Sequence, residues 1–344
     1  MTAVGSTRHR LSRVLVGLLI LLAIVAIAAF AAFKCSPWPS VLIIRREFSR
    51  DGIDGNAALS HRVPPGIRTQ AAIQYNANDP NALLDIYRPV ALDGHALPVV
   101  FWIHGGGYIA GSRMEMANYA RILAAGGYAV VAVDYPLAPE HPYPVPVVAL
   151  NHALTFLSDN AAQLHLDRNR FILAGDSAGA QLAAQIALLV SSPVYARAMG
   201  IHPGIARSQL LGTVLFCGPY DGRVIVSEAS SSKLARTFIW SYFGSLNPPV
   251  SMLDAFSIVP HVTPEFPASF ISVGNIDVLA PQSYALADAL RHQGVHVETL
   301  FYPASHTPAL DHEYQFDLAL PESNEALKQT QAFLLGLTAH KSGQ

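Results

Sequence analysis

Short apolar runs of strand length alternate along most of the chain with stretches whose apolar residues return every three or four positions. Leu97–Ile103 is a continuous apolar run, the pattern of a strand buried on both faces of a parallel sheet. Ala129–Val133, Arg170–Ala174, Leu210–Phe216, Ala268–Val273 and Val295–Tyr302 read as further strands. Between them, Ala117–Ala125, Val145–Asn160, Ala180–Val190, Tyr284–Gln293 and Ser323–Leu335 read as helices. Thr69–Tyr75 and Ala82–Tyr87 open the series as two strands joined by a turn over 76–81. Strand and helix in alternation predict an α/β fold with an open, mostly parallel sheet.

Three stretches break this rhythm. Val14–Phe33 has no charged residue and no polar face at any helical period. About 20 such residues suffice to cross a bilayer core as a helix. Arg8, His9, Arg10 and Arg13 precede it, and Lys34, Arg45, Arg46 and Arg50 follow. The expectation is a single-pass anchor with its basic N-terminus inside and the rest extracytoplasmic; the alternative is a signal peptide cleaved after an Ala29-Phe30-Ala31 site. Ser36–Arg68 mixes prolines with an amphipathic piece at Val41–Phe48 and reads as a tether with short helices. Asp221–Pro264 has no strand rhythm and reads as an insertion. The expected organisation is a basic tail at 1–13, the anchor at 14–33, the tether at 34–68 and one domain at 69–344 with its insertion at about 221–264.

Of the 344 residues, 51% are hydrophobic and 13% charged, and the net charge is -2. That balance excludes a disordered chain and gives no attraction for nucleic acid. The 14 histidines are scattered, with no H-e-x-x-H pattern and no Cys/His cluster, so no metal and no cofactor is expected. Cys35 and Cys217 cannot form a disulfide framework, and the sequence does not speak to oligomeric state.

The chemistry gathers at Gly175-Asp176-Ser177-Ala178-Gly179, between a predicted strand and a predicted helix. A strand that turns abruptly into a helix strains its turn residue and needs small neighbours, and it leaves the Ser177 hydroxyl exposed over a helix N-terminus. His104-Gly105-Gly106-Gly107-Tyr108 follows the Leu97–Ile103 strand, and glycines let loop N–H groups converge on one point. Such a point is what a tetrahedral oxyanion requires. A serine nucleophile also needs a base and an orienting acid, in the chain order Ser, acid, His. Asp277 and His306 lie just past predicted strand ends. His292, His296 and His312 compete for the base, with His312 the serious rival, and Asp254 and Asp311 compete for the acid.

These motifs, together with Asp134-Tyr135-Pro136-Leu137-Ala138-Pro139-Glu140-His141-Pro142-Tyr143-Pro144, resemble the hormone-sensitive-lipase-type carboxylesterases of the α/β-hydrolase family over roughly Thr69–Leu335. The resemblance implies an α/β-hydrolase fold, with helices on both faces of the sheet and a helical cap formed from Ser36–Arg68 and the insertion. It implies hydrolysis of short- to medium-chain acyl esters, with Ser177 as nucleophile, Asp277 as acid and His306 as base. The oxyanion hole would come from the N–H groups of Gly106, Gly107 and Ala178, and His104, Glu140 and His141 would serve loop packing. Two positions depart from the pattern: Pro136 where Arg is usual, and Asn151 near a usual Asp. An amidase, formamidase or feruloyl-esterase-like enzyme on this fold, and a non-catalytic binding protein, are the alternatives.

Overall fold

The computed structural model describes residues 3–228 and 232–339; the expected basic tail and domain end extend to residues 1–2 and 340–344, outside the described residues. Strands β1 (Ile67–Gln74), β2 (Leu83–Pro89), β3 (Leu97–Ile103), β4 (Ala129–Val133), β5 (Leu166–Asp176), β6 (Leu210–Phe216), β7 (Ala268–Val273) and β8 (Val297–Phe301) form one sheet. It has eight strands in the order β1-β2-β4-β3-β5-β6-β7-β8. β1 pairs antiparallel with β2, and β2 antiparallel with β4; β4 through β8 run parallel.

The unbroken apolar runs follow from burial on both faces. Val99, Phe101 and Ile103 of β3 point into one core and Val100 and Trp102 into the other; Phe171 and Leu173 of β5 alternate in the same way with Ile172 and Ala174. Helices α4 (Val145–Asp159), α5 (Ala178–Ser191) and α10 (Ala280–His292) bury Leu150, Leu182 and Leu286 against the first face. α3 (Ala117–Ala124) and α11 (Pro321–Ala339) bury Leu123 and Phe333 against the second.

The stretch 34–68 is more than a tether. It contains helix α2 (Trp38–Ala58), docked on the domain, and a 3-10 turn at Ser60–Arg62. Arg45 donates to the carbonyls of Ile109 at 2.6 Å and Ala138 at 2.9 Å and pairs with Glu140 at 2.6 Å. Val41 is fully buried, and Asn56 holds Asn118 of α3 through two hydrogen bonds of 2.8 and 2.7 Å. Gly52 and Gly55 weaken the helical signal in the sequence; at Gly52 a Cβ would overlap the Glu115 carboxylate, so the glycine serves a close approach.

The insertion holds α7 (Gly222–Glu228), α8 (Lys233–Phe243) and α9 (Val250–Phe256), followed by a 3-10 turn; α6 (Pro193–Met199) follows α5. The Ser232 hydroxyl caps α8 by accepting from Ala235 N at 3.2 Å, and Gly244 ends it in the left-handed region at φ 69°. Tyr242 stacks on Tyr108 at 3.8 Å, and Phe238 meets Phe48 of α2 at 6.2 Å. Helices from both irregular stretches therefore meet above the glycine loop. The N-terminal helix α1 (Ala3–Cys35) is a different case: Leu15–Cys35 is long and apolar enough to cross a membrane, and none of it is buried.

Candidate active site

Ser177 occupies the turn between β5 and α5 with φ 51° and ψ -121°, a conformation non-glycine residues rarely adopt. Its own N–H donates to the Phe216 carbonyl at 2.8 Å, which ties the turn to β6. The flanking glycines permit this crossing. A Cβ on Gly175 would lie 2.5 Å from the Gly179 backbone, and one on Gly179 would overlap the Ile103 carbonyl. The serine hydroxyl is thus held rigidly beyond the C-terminal ends of β3 and β5, where open α/β sheets place their ligands.

His312 stands beside it. Its Nε2 lies 2.9 Å from Ser177 Oγ, and its Nδ1 lies 2.8 Å from Asp277 Oδ2. The Asp277 side chain is fully buried. Its other oxygen, Oδ1, accepts from Leu279 N at 2.8 Å, which fixes the carboxylate. Burial works to lower the His312 imidazole, but its surroundings, with the hydrogen bond to Asp277 prominent among them, hold it well above the ordinary histidine value. Cys217 lies against the same ring, yet burial pushes its thiol up to about 11, so it is uncharged at neutral pH. That leaves the hydrogen bond to Asp277 and the Glu313 carboxyl, 3.8 Å from Nε2, as what raises the imidazole.

The expectation for His306 is not met. Past β8 the chain folds so that His306 N–H donates to the Pro303 carbonyl at 2.8 Å. The ring packs on Tyr302 at 4.4 Å and its Nε2 meets Glu322 at 2.9 Å, away from Ser177. Asn275 holds the intervening loop, donating to the His306 carbonyl at 3.3 Å and accepting from Leu310 N at 2.8 Å. The chain then anchors a second time. Tyr314 and Gln315 both reach Ser272 Oγ of β7, at 3.0 and 3.1 Å. This second anchor delivers His312. The aromatic residues Tyr314 and Phe316 two and four positions after His312 were the available signal, and distance from the strand end pointed the other way. His292 and His296 engage the Asp288 carbonyl and Glu298, and Asp254 pairs with Arg223 and His261.

The glycine loop faces Ser177. Gly106 and Gly107 adopt φ 102° and 60°. Among the described residues, the N–H groups of Gly106, Gly107 and Ala178 donate no hydrogen bond. Behind the loop, buried His104 stacks on Tyr135 at 4.4 Å and its Nδ1 contacts the Gly105 carbonyl at 2.8 Å; burial lowers its pKa, so it stays neutral. Asp176 supports the loop from below: its oxygens accept from Trp102 Nε1 and Gly105 N, each at 2.7 Å.

At the departures from the expected motif, other residues fill in. Pro136 brings no cation, and Asp134 is instead held by Arg113, which also reaches Asp85 at 2.9 Å. Asn151 donates to the His202 carbonyl at 2.9 Å and accepts from Gly204 N at 2.7 Å.

A cavity of about 570 Å³ opens over Ser177, lined by the glycine loop and by apolar side chains including Phe48, Ile225, Leu234, Phe238 and Phe256. Phe238 presses on Gly107, where a Cβ would overlap its ring. The donor atoms of Cys217, Asp277 and His312 lie within 4.8 Å of one another. Both His312 nitrogens are already engaged, by Ser177 and Asp277.

The family model for the alpha/beta hydrolase fold matches residues 100–307. The chain belongs to this family. Carboxylesterase NlhH of Mycobacterium tuberculosis is 31% identical over 278 residues, which are 77% of this chain and 82% of that protein. Esterase LipI of the same organism is 31% identical over 216 residues, 61% of this chain and 65% of its own. Among solved structures, inhibited esterase B from Lactobacillus rhamnosis superimposes with a TM-score of 0.76 at 25% identity, covering 88% of this chain and 98% of that one. An esterase from Pyrobaculum calidifontis gives 0.72 at 26% identity, covering 86% and 93%. This α/β-hydrolase is accordingly an ester-hydrolysing enzyme of the carboxylesterase type.

Proposed function

We propose that the enzyme hydrolyses short- to medium-chain acyl esters through a Ser177–His312–Asp277 triad. The observation that carries this reading is the continuous chain Ser177 Oγ–His312 Nε2–His312 Nδ1–Asp277 Oδ2, at 2.9 and 2.8 Å, on a serine held at a strained strand-to-helix turn. The tautomer that fits is Nδ1–H donating to Asp277, with Nε2 free to take the serine proton. Ser177 Oγ attacks the ester carbonyl as its proton passes to His312. The oxyanion forms against the N–H groups of Gly106, Gly107 and Ala178, at the positive end of α5. His312 returns the proton to the leaving alcohol, and water repeats the sequence on the acyl-enzyme.

The apolar lining supports an acyl substrate, and about 570 Å³ falls in the usual range for small-molecule sites, roughly 300–1,000 Å³. Phe48 and Phe238 close the cavity from α2 and α8, which supports a bounded acyl pocket under a helical cap. Helix α1 is proposed as a membrane anchor with the hydrolase domain extracytoplasmic, supported by the length, apolar composition and lack of burial of Leu15–Cys35.

The test uses the full chain in mild detergent. A chromogenic acyl-ester series and an aryl amide are assayed alongside Ser177 labelling by a fluorophosphonate. The expected result is ester turnover peaking at short or medium chains, labelling of the native enzyme, and loss of both in Ser177→Ala. Amide turnover exceeding ester turnover would reassign the enzyme as an amidase, and turnover in Ser177→Ala would refute the nucleophile.

A further inference from the structure

Directly after His312, Glu313 adopts φ 59°, the left-handed region that costs a non-glycine residue conformational energy. The flanks hold it there. Tyr314 and Gln315 are pinned to Ser272, and Phe316 packs edge-on against Trp102 and Tyr119 at 6.2 and 4.9 Å. The strained backbone turns the Glu313 carboxyl toward Asp176. Both acids converge beneath one α-carbon: a Cβ on Gly105 would lie 2.5 Å from Asp176 Oδ2 and 2.8 Å from Glu313 Oε1.

Asp176 is buried, and the donors on it are Trp102 Nε1 and Gly105 N, both neutral. Two ionised carboxyls brought this close beside a buried Asp176 would repel, which favours a proton retained on Asp176. We propose that Glu313 is a positioning residue, sharing one proton with Asp176 so that this pair holds the glycine loop in register with Ser177. The proposal rests on the reading of that loop as the oxyanion hole.

Burial, and then Glu313, push Asp176 well above the usual carboxylate range, in keeping with a retained proton. Other titratable groups face the pair from each side. His104 and Tyr135 lie behind the loop, Glu115 and Tyr119 on the α3 side, and His312 and Cys217 on the reactive side. Glu115 is pushed up to about 7, mainly by burial, and is the one rival for a titration near neutrality. The sign follows from the raised value. A proton held more tightly in the folded protein adds stability that is complete below the ordinary carboxylate pKa and is lost as pH rises through the folded one. Loss of that proton leaves like charges beneath Gly105, so loop order and kcat fall on the alkaline side.

The test is the pH dependence of kcat and KM for a soluble ester in the full chain carrying Glu313→Ala, Glu313→Gln, Asp176→Asn, Glu115→Gln, or the Asp176→Asn/Glu313→Ala pair. Loosening an oxyanion donor sets the scale: Glu313→Ala should lower kcat by up to about 10²-fold with KM little changed. Glu313→Gln, which donates to Asp176 without a shared proton, should recover most of kcat and move the alkaline limb to higher pH. The double variant should lose no more than the worse single one. Wild-type kcat and pH profile in both Glu313 variants would overturn the proposal. So would losses that multiply in the double variant, which would have Glu313 act on His312, 3.8 Å away, without Asp176. An alkaline limb that moves with Glu115→Gln and not with Glu313→Gln would also overturn it. If Glu313→Ala does not fold, the alkaline limb of Glu313→Gln alone decides. Failure of the underlying reading shows separately, as absence of Ser177 labelling in the native enzyme.

Discussion

Replacing His312 by alanine removes both members of the relay at once: the 2.9 Å contact to Ser177 and the 2.8 Å contact to Asp277. What remains is the glycine loop, the cavity and a serine hydroxyl with no base. Loss of the base in a triad costs about 10⁴–10⁶ in kcat. At about 1.36 kcal/mol per decade this is roughly 5–8 kcal/mol of transition-state stabilisation. The fold should tolerate the change, because about a third of the side chain is open to the cavity (34% exposed). His306→Ala is the matched control. It removes the 2.9 Å partner of Glu322, whose side chain is 12% exposed and whose Oε2 already lacks a partner. Leaving that carboxylate unpaired should cost about 1–3 kcal/mol of stability. The position of Glu322 in the first turn of α11 offsets part of this. His306→Ala should therefore melt a few degrees lower with kcat unchanged. The assay is stopped-flow hydrolysis of a short p-nitrophenyl ester, with melting followed by circular dichroism. A kcat in His306→Ala that falls as far as in His312→Ala, or a His312→Ala enzyme within tenfold of wild type, would refute the reasoning.

Asp277→Asn removes one of the contacts that hold the His312 imidazole up, so the acid limb of kcat/KM should move to lower pH while kcat falls by about 10⁴. The sign is set by the raised value: the neutral, base-competent ring appears only as pH rises through it. Over the same window the stability contributed by protonated His312 is lost, and a pH series of melting curves in the native enzyme should show it. Gly106→Ala should cost about 10²–10³ in kcat, because its Cβ would overlap the Ala110 backbone. A Cβ at Gly107 meets the Phe238 ring first, besides the strain of φ 60°, so adding Phe238→Ala should recover part of the loss in Gly107→Ala. Phe48→Ala and Phe238→Ala each open the cavity, and an acyl series should show the optimum shifting to longer chains. The full chain should pellet with membranes after carbonate washing, whereas a soluble protein beginning near Ala32 would establish signal cleavage.

The apolar runs alone determined the strands: β3, β4, β6 and β7 lie where the sequence places them, because a central parallel strand is buried on both faces and has no polar side to blur it. The turn at Ser177 was equally legible, since Gly175 and Gly179 admit a backbone crossing that larger residues forbid. So was Asp277, which sits directly past a strand end. Of helix α2 only the amphipathic Val41–Phe48 piece was; its full length was not, because its glycines weaken local propensity and its order comes from Arg45, Val41 and Asn56 contacting residues far along the chain. The choice between His306 and His312 also belonged to the tertiary structure. Both lie on one loop after β8, and which imidazole reaches Ser177 depends on where that loop is tied down. Asn275 and Glu322 hold His306 aside, while Ser272 fixes Tyr314 and Gln315 and so presents His312. The approach of Asp176 and Glu313 has the same origin: two acids distant in sequence flank Gly105 because a strained backbone at Glu313 turns its carboxyl there.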